Sequence, residues 1–264
     1  MKKFVVLLVA IVATAAFVAP AFADHKIGGY FRTQFSSFDQ SKTVDAKSTT
    51  GVWTRLRMKW TNTLNENVNV VWYGELDPNW GQGNGGDLGA DGKNVETKNA
   101  YVDFKVPGTP LAAKVGIQGF GAQFSSVFVD NDMGGVKLSA DFGGPKGVLF
   151  YSKWDEGSTS NWDDLDLYAA QLTNLGPVEA GLYYIDYNGT GEEMSVITAG
   201  VKADVKITDT VGVDGFLVYQ DKGSDAGTKD KYVEGTATVL SARAKVSDIG
   251  NFRVIYYSED DDRV

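Results

Sequence analysis

Val52-Trp53-Thr54-Arg55-Leu56-Arg57-Met58-Lys59-Trp60-Thr61-Asn62 alternates between two chemistries. On an extended strand, Thr54, Leu56, Met58 and Trp60 fall on one face, and Arg55, Arg57 and Lys59 on the other. An apolar face backed by three cations suits the wall of a soluble sandwich as well as the wall of a pore. The segments around it decide between the two.

Before this stretch the chain opens with Met1-Lys2-Lys3, continues through an apolar and small-residue run from Phe4 to Phe22, and reaches Ala21-Phe22-Ala23 before Asp24. A basic start, an apolar core and an Ala-x-Ala site predict a secretory signal peptide over residues 1–23, with the mature domain at 24–264. The alternative, an N-terminal membrane anchor, is disfavoured because the apolar run is short for a span.

Of the 25 Lys and Arg residues, Lys2 and Lys3 belong to this leader. The remaining 23 face 34 Asp and Glu, a formal charge of −11 rather than −9. Such an acidic chain is not expected to bind nucleic acid, whose phosphates want a basic face. There is no cysteine, which excludes disulfides, thiolate metal sites and a cysteine nucleophile. The one histidine, His25, reads as an exposed terminal residue, so no zinc site is expected. Barrel enzymes of known design use histidine as general base, so the chain is not expected to be an enzyme. Asp130-Asn131-Asp132 looks like part of a calcium loop, but Gly134 occupies a ligand position. Neither a metal nor a cofactor is therefore expected. Asn188-Gly189-Thr190 fits a glycosylation sequon and reads as a turn.

After the leader no apolar run approaches the about 18 residues of a membrane helix. Instead, thirteen alternating segments are predicted as strands, among them 27–38, 52–62, 68–76, 99–106, 113–120, 135–142 and 196–206. Their connections alternate long and short. Asp39–Gly51, Pro78–Val95, Gly121–Gly134, Asp155–Asp164, Asn188–Ser195 and Asp221–Lys231 are long, while tight turns such as Pro107-Gly108, Gly144-Pro145 and Gly176-Pro177 lie between. A sandwich has no reason to couple loop length to strand parity. An outer-membrane barrel does, with long loops at one rim and turns at the other. The expected fold is therefore an all-β, transmembrane antiparallel β-barrel in the lipid of an outer membrane. Trp60, Phe104, Phe142, Phe252, Trp154 and Tyr219 are expected to form its interfacial girdles.

Thirteen is odd, whereas single-chain bacterial barrels are usually even. The chain as given is read as the N-terminal part of a longer barrel, the competing explanation being a different count around the seventh and eighth strands.

The third long connection differs from the rest. Phe124, Val127, Phe128, Val129 and Met133 are costly to leave in water, so it is expected to fold inward and to carry Asp130 and Asp132 into the pore. Lys114-Val115-Gly116-Ile117-Gln118-Gly119-Phe120 through Asp130-Asn131-Asp132-Met133-Gly134-Gly135-Val136-Lys137-Leu138, with the leader and the loop alternation, resembles the Gram-negative general porins. The resemblance implies a sixteen-stranded, trimeric, water-filled channel for small hydrophilic solutes and ions. It also implies a constriction in which loop acids, here Asp130 and Asp132, face a basic cluster on the wall, here Arg32, Arg55, Arg57 and Lys59. Opposed charges of this kind would set up a transverse field across the pore. A second reading, a barrel that sheathes a partner protein such as an electron carrier, stays open at this point.

Overall fold

A computed structural model describes residues 24–38, 49–80, 95–124, 129–155, 164–189, 192–224, 233–246 and 250–261. The expected signal peptide, 1–23, and most of the long connections lie outside them. The elements among the described residues are thirteen strands: β1 Asp24–Phe38, β2 Thr49–Asn65, β3 Val68–Leu76, β4 Glu96–Lys105, β5 Leu111–Gly121, β6 Asp130–Asp141, β7 Lys146–Asp155, β8 Asp164–Leu175, β9 Val178–Gly189, β10 Glu192–Lys206, β11 Val211–Ser224, β12 Val233–Val246 and β13 Gly250–Asp261. The described part of the chain is all-β, and within β1 to β4 and within β5 to β13 each strand pairs antiparallel with its neighbours in sequence. Among the described residues no helix is long and apolar enough to cross a membrane, which says nothing of a β-barrel, whose crossings are strands. Two compact units divide after Phe104.

In the first unit, β1 to β4, the register sets Phe31 opposite Leu56, Ile27 opposite Trp60 and Trp60 opposite Trp72. Alternation therefore gathers Ile27, Phe31, Phe35, Met58, Trp60 and Val70 on one face, and all six are exposed. A contiguous apolar surface of this kind is rare on a soluble monomer and needs an apolar surrounding. Two aromatic levels bound it. Trp60 packs near His25, with ring centroids 5.9 Å apart, towards the short β2–β3 turn. At the other end Phe35 meets Trp80 edge-on at 6.3 Å, and the Trp80 indole N–H donates to Thr54 Oγ1 at 2.9 Å. Phe35 pairs with Val52, so the levels lie eight residues apart along β2. That is roughly 26 Å along the strand, or about 20 Å at a barrel tilt of about 40°, comparable with the ~25 Å apolar band of outer-membrane barrels.

In the second unit, β5 to β13, Leu138, Leu149, Leu172, Leu182, Ile197 and Leu217 are exposed together on its own outer face. Tyr151, Tyr168 and Tyr184 stand in one cross-strand row there, with centroids 5.1 and 6.0 Å apart. The Tyr151 hydroxyl donates to Asp166, and Lys153 pairs with Asp164 at 2.7 Å, so charge begins one level above the aromatics. The opposite, inner face holds a buried cluster that includes Phe120, Met133, Phe150, Leu167, Tyr183 and Phe216.

Short turns use the expected residues. Gly108 and Gly176 have φ of 72° and 68°, the left-handed region that an L side chain resists. The long and short alternation holds except between β9 and β10, where only residues 190–191 intervene. The Asn188–Ser195 stretch expected as a long loop is largely strand, because pairing continues out to Glu192 opposite Gly189.

Three further expectations are corrected. β6 begins at Asp130, five residues before the predicted start, since its ladder with β5 runs without a shift from Leu111↔Ala140 to Gly121↔Asp130. Phe104 is buried opposite Val68 instead of standing out in a girdle. Trp154 sits at a register shift between Lys153 and Asp155 and packs against the inner cluster. Trp60, Phe142 and Tyr219 are exposed as expected, and the side chain of Phe252 lies outside the described ones.

Candidate functional site

The inner face of the first unit carries the densest polar arrangement among the described residues. Arg55 and Arg57 are alternate residues of β2 and so point the same way; β3 brings Glu75 opposite Arg57. Arg57 Nε–H donates to one carboxylate oxygen of Glu75, and Arg55 Nη2 lies 3.4 Å from the other. The same Arg55 nitrogen donates to Asp77 at 3.2 Å. Glu75 is only 6% exposed, so its charge is tolerated because two guanidinium groups share it.

Aromatic rings fix the cations in turn. Arg32, which pairs with Arg55 across β1 and β2, places its guanidinium 4.5 Å from the Trp53 ring centre. Arg55 lies 5.3 Å from the same ring, and Arg57 lies 5.7 and 5.9 Å from Tyr30 and Tyr73. Each such contact contributes about 0.5–1 kcal/mol where water reaches it. Lys59 continues the face and is exposed. On this face Arg32, Arg55, Arg57 and Lys59 gather on β1 and β2 beside Glu75 and Asp77, and the register adds Asp24 and Lys26 of β1 and Glu96 and Asp103 of β4.

In the second unit, the residues that follow β5 turn towards the inner face. Ala122 N–H donates to Val129 O at 2.7 Å, which draws the two ends of the third connection together. Phe124 is fully buried, edge-on to Tyr183 at 5.9 Å and the same distance from Phe216, so a residue just after β5 packs on β9 and β11. Gln123 donates through its side chain to Leu172 O at 3.0 Å and through its backbone to the Tyr183 hydroxyl at 3.2 Å. Gln171 donates to Gly121 O at 3.0 Å and to the same hydroxyl at 3.1 Å. Beneath the segment, Phe120 stacks on Phe150 at 4.2 Å.

No protein-family model matches the chain, and no curated protein sequence matches it. Solved structures do. An anion-selective porin from Comamonas acidovorans superposes with a TM-score of 0.55 at 15% identity, covering 91% of this chain and 80% of that one. A double mutant of OccD1 (OprD) gives 0.57 at 11% identity, over 94% and 63%, and Pseudomonas aeruginosa OccD3 (OpdP) gives 0.52 at 10%, over 92% and 59%. The fold is that of the outer-membrane porins. The chain spans less than two thirds of the two Occ proteins, and at these identities the likeness is one of fold.

Within this porin fold, Arg32, Arg55, Arg57 and Lys59 share one face, as their alternation predicts. Glu75 and Asp77, which were not expected as partners, bond the arginines. Asp130 and Asp132 are strand residues of β6, and their carboxylates lie over Gly121 and Gly119 across the ladder. They share the outer face with Val136 and Leu138, whereas Met133, one position along, is buried on the inner face. Continuous pairing in β5–β6 forces this parity. Sequence reading missed Trp53 and Tyr30 as supports of the arginines and Gln171 and Tyr183 as anchors of the third connection. The alternation in β1 and β2 does place Trp53 and Tyr30 on the arginine face.

Proposed function

We propose that the chain is an outer-membrane porin, exported by the leader at 1–23, whose domain at 24–264 passes small hydrophilic solutes and ions by diffusion. The reading rests on one contrast: in a porin-like fold, an exposed apolar face backs onto a wall of arginines held by aromatics and a shared carboxylate. Lipid suits the first face and water the second. The third connection, turned inward through Ala122 to Phe124, narrows the passage, and homotrimers are the expected assembly. Arg32, Arg55, Arg57 and Lys59 cluster on β1 and β2 while the acids Glu75, Asp77, Glu96 and Asp103 lie on and after β3, so the potential is positive over the first two strands, which favours anions there. The fold neighbour from Comamonas acidovorans is itself described as anion-selective. Asp130 and Asp132 are assigned to the outer rim, outside the ion path.

Reconstitution into planar bilayers tests this. Stepwise conductance is expected, with a reversal potential in a salt gradient that indicates anion preference. Arg55→Gln and Arg57→Gln should each shift the permeability ratio towards cations by roughly two- to fivefold, the effect of about 0.4–1 kcal/mol per partly solvated charge. The double change Asp130→Asn with Asp132→Asn should leave the ratio where it was. A folded protein that inserts but never conducts would overturn the channel and leave the sheath for a partner protein.

A further inference from the structure

We infer that the tyrosine row on the outer face of the second unit is an oxidative modification site, where a one-electron oxidant closes a covalent dityrosine bridge between Tyr151 of β7 and Tyr168 of β8. The inference goes beyond the channel reading and stands without it. Tyr151 pairs directly with Tyr168, and Tyr168 with Tyr184, so the three phenols line up across consecutive strands. The Tyr151 and Tyr168 rings lie 5.1 Å apart, centre to centre, and are tilted by 41°, while Tyr168 and Tyr184 lie 6.0 Å apart. All three side chains are half-buried, reachable from outside yet held by their neighbours. Two phenols fixed side by side on a ladder react as one molecule, without the entropy cost of an encounter.

The carboxylates above the row complete the chemistry. A phenol that loses an electron becomes a strong acid and must release its proton. The Tyr151 hydroxyl donates to Asp166 at 3.2 Å, and the Tyr184 hydroxyl to Asp186 at 3.4 Å. Asp166 pairs with Asp186 across β8 and β9, so both acceptors stand one level above the rings. In the step itself, Tyr151 and Tyr168 each give one electron to the oxidant and one phenolic proton to a carboxylate or to water. The two phenoxyl radicals join through ortho ring carbons, and the hydrogen on each joined carbon moves to its phenol oxygen. The product carries one new carbon–carbon bond and is lighter by two hydrogens. The chain has no cysteine, so no internal thiol competes for the radicals and no disulfide can cross-link the wall. The dityrosine takes that place, tying β7 to β8 and constraining the unfolded chain as a disulfide does.

The test exposes the full chain in detergent micelles to light with ruthenium tris-bipyridyl and persulfate, which remove single electrons from tyrosine. Trypsin cuts after Lys146, Lys153 and Lys202, so Tyr151 falls in the peptide 147–153, and Tyr168 and Tyr184 fall together in 154–202. The expected product is 147–153 joined to 154–202 within one molecule, lighter by two hydrogens than their sum and fluorescing as dityrosine. Its yield should fall at least about tenfold when the protein is unfolded in urea before oxidation, because the rings separate. Tyr151→Phe and Tyr168→Phe keep the packing and should each abolish the joined pair, whereas Tyr184→Phe should leave it. Asp166→Asn should slow its formation at least about threefold. Electrophoretic heat-modifiable mobility checks the folding of every variant. A joined pair that forms as well in urea, or that survives Tyr168→Phe, refutes the site, as does a folded parent in which 147–153 stays single. An unchanged rate in Asp166→Asn removes the carboxylate from the step. None of these readouts depends on current, so failure to conduct refutes the channel and leaves the site standing.

Discussion

Gly135→Ala should lower the stability of the folded protein in lipid or detergent by more than about 3 kcal/mol, while Gly134→Ala beside it should change it by less than about 0.5 kcal/mol. The two glycines are consecutive in β6, yet their surroundings are opposite. A Cβ at Gly135 would overlap the carbonyl oxygen of Tyr151 and sit 3.0 Å from Ser152 Cα and 3.2 Å from Phe150 Cζ; at Gly134 it would meet nothing within 4 Å. A backbone carbonyl cannot swing aside as a side chain does. Relief at Gly135 requires β6 and β7 to separate locally, which breaks ladder hydrogen bonds about a buried Ser152 and a buried Gln118. At Gly134 the methyl enters open space, and the reduced entropy of the unfolded chain offsets part of any loss. Urea titration of both variants, followed by heat-modifiable mobility, reads the difference. Equal stabilities would show that β6 and β7 approach less closely at this point than the structure has them.

Glu75→Gln has the second large effect. The neutral amide keeps the size but withdraws the charge shared by Arg55 and Arg57, whose side chains are 26% and 20% exposed. Removing one partner of a fully buried pair costs about 3–5 kcal/mol. Partial access to water reduces that here to about 1–3 kcal/mol. The same change removes the negative charge that both arginines share, so the permeability ratio should move further towards anions by roughly two- to fivefold. Arg55→Gln moves it the other way. Combining Glu75→Gln with Arg57→Gln should recover part of the lost stability, because the guanidinium left unpaired is gone. Additive losses in the double variant would mean that the two groups act separately, against the geometry.

Much of this molecule is legible in its sequence because β-structure writes itself with a period of two. The alternation in 52–62 places Arg55, Arg57 and Lys59 on one face without any knowledge of their neighbours, and β3 begins and ends where the pattern does. What resists reading is whatever depends on register. Glu75 and Asp77 reach the arginines because β2 and β3 pair with Arg57 opposite Glu75, a fact that no single strand contains. Asp130-Asn131-Asp132 looks like a loop tip by residue preference, but Gly119 and Gly121 opposite leave room for its side chains, so pairing extends through it. The burial of Phe124 follows from its apolar character. Its neighbours do not, because Tyr183 and Phe216 lie in strands remote in sequence.

Every ladder in the second unit joins strands adjacent in the chain, so each closes a short loop and can form as soon as its hairpin exists. The contact from Gln123 to Tyr183 spans 60 residues, and Phe124 reaches further still, to Phe216. Hairpin can follow hairpin from β5 onwards while the place for Phe124 is still unbuilt, and the ring finds its full surroundings only when β11 has been laid down. Assembly therefore has a built-in order, in which the ladders come first and the enclosure of Phe124 comes last.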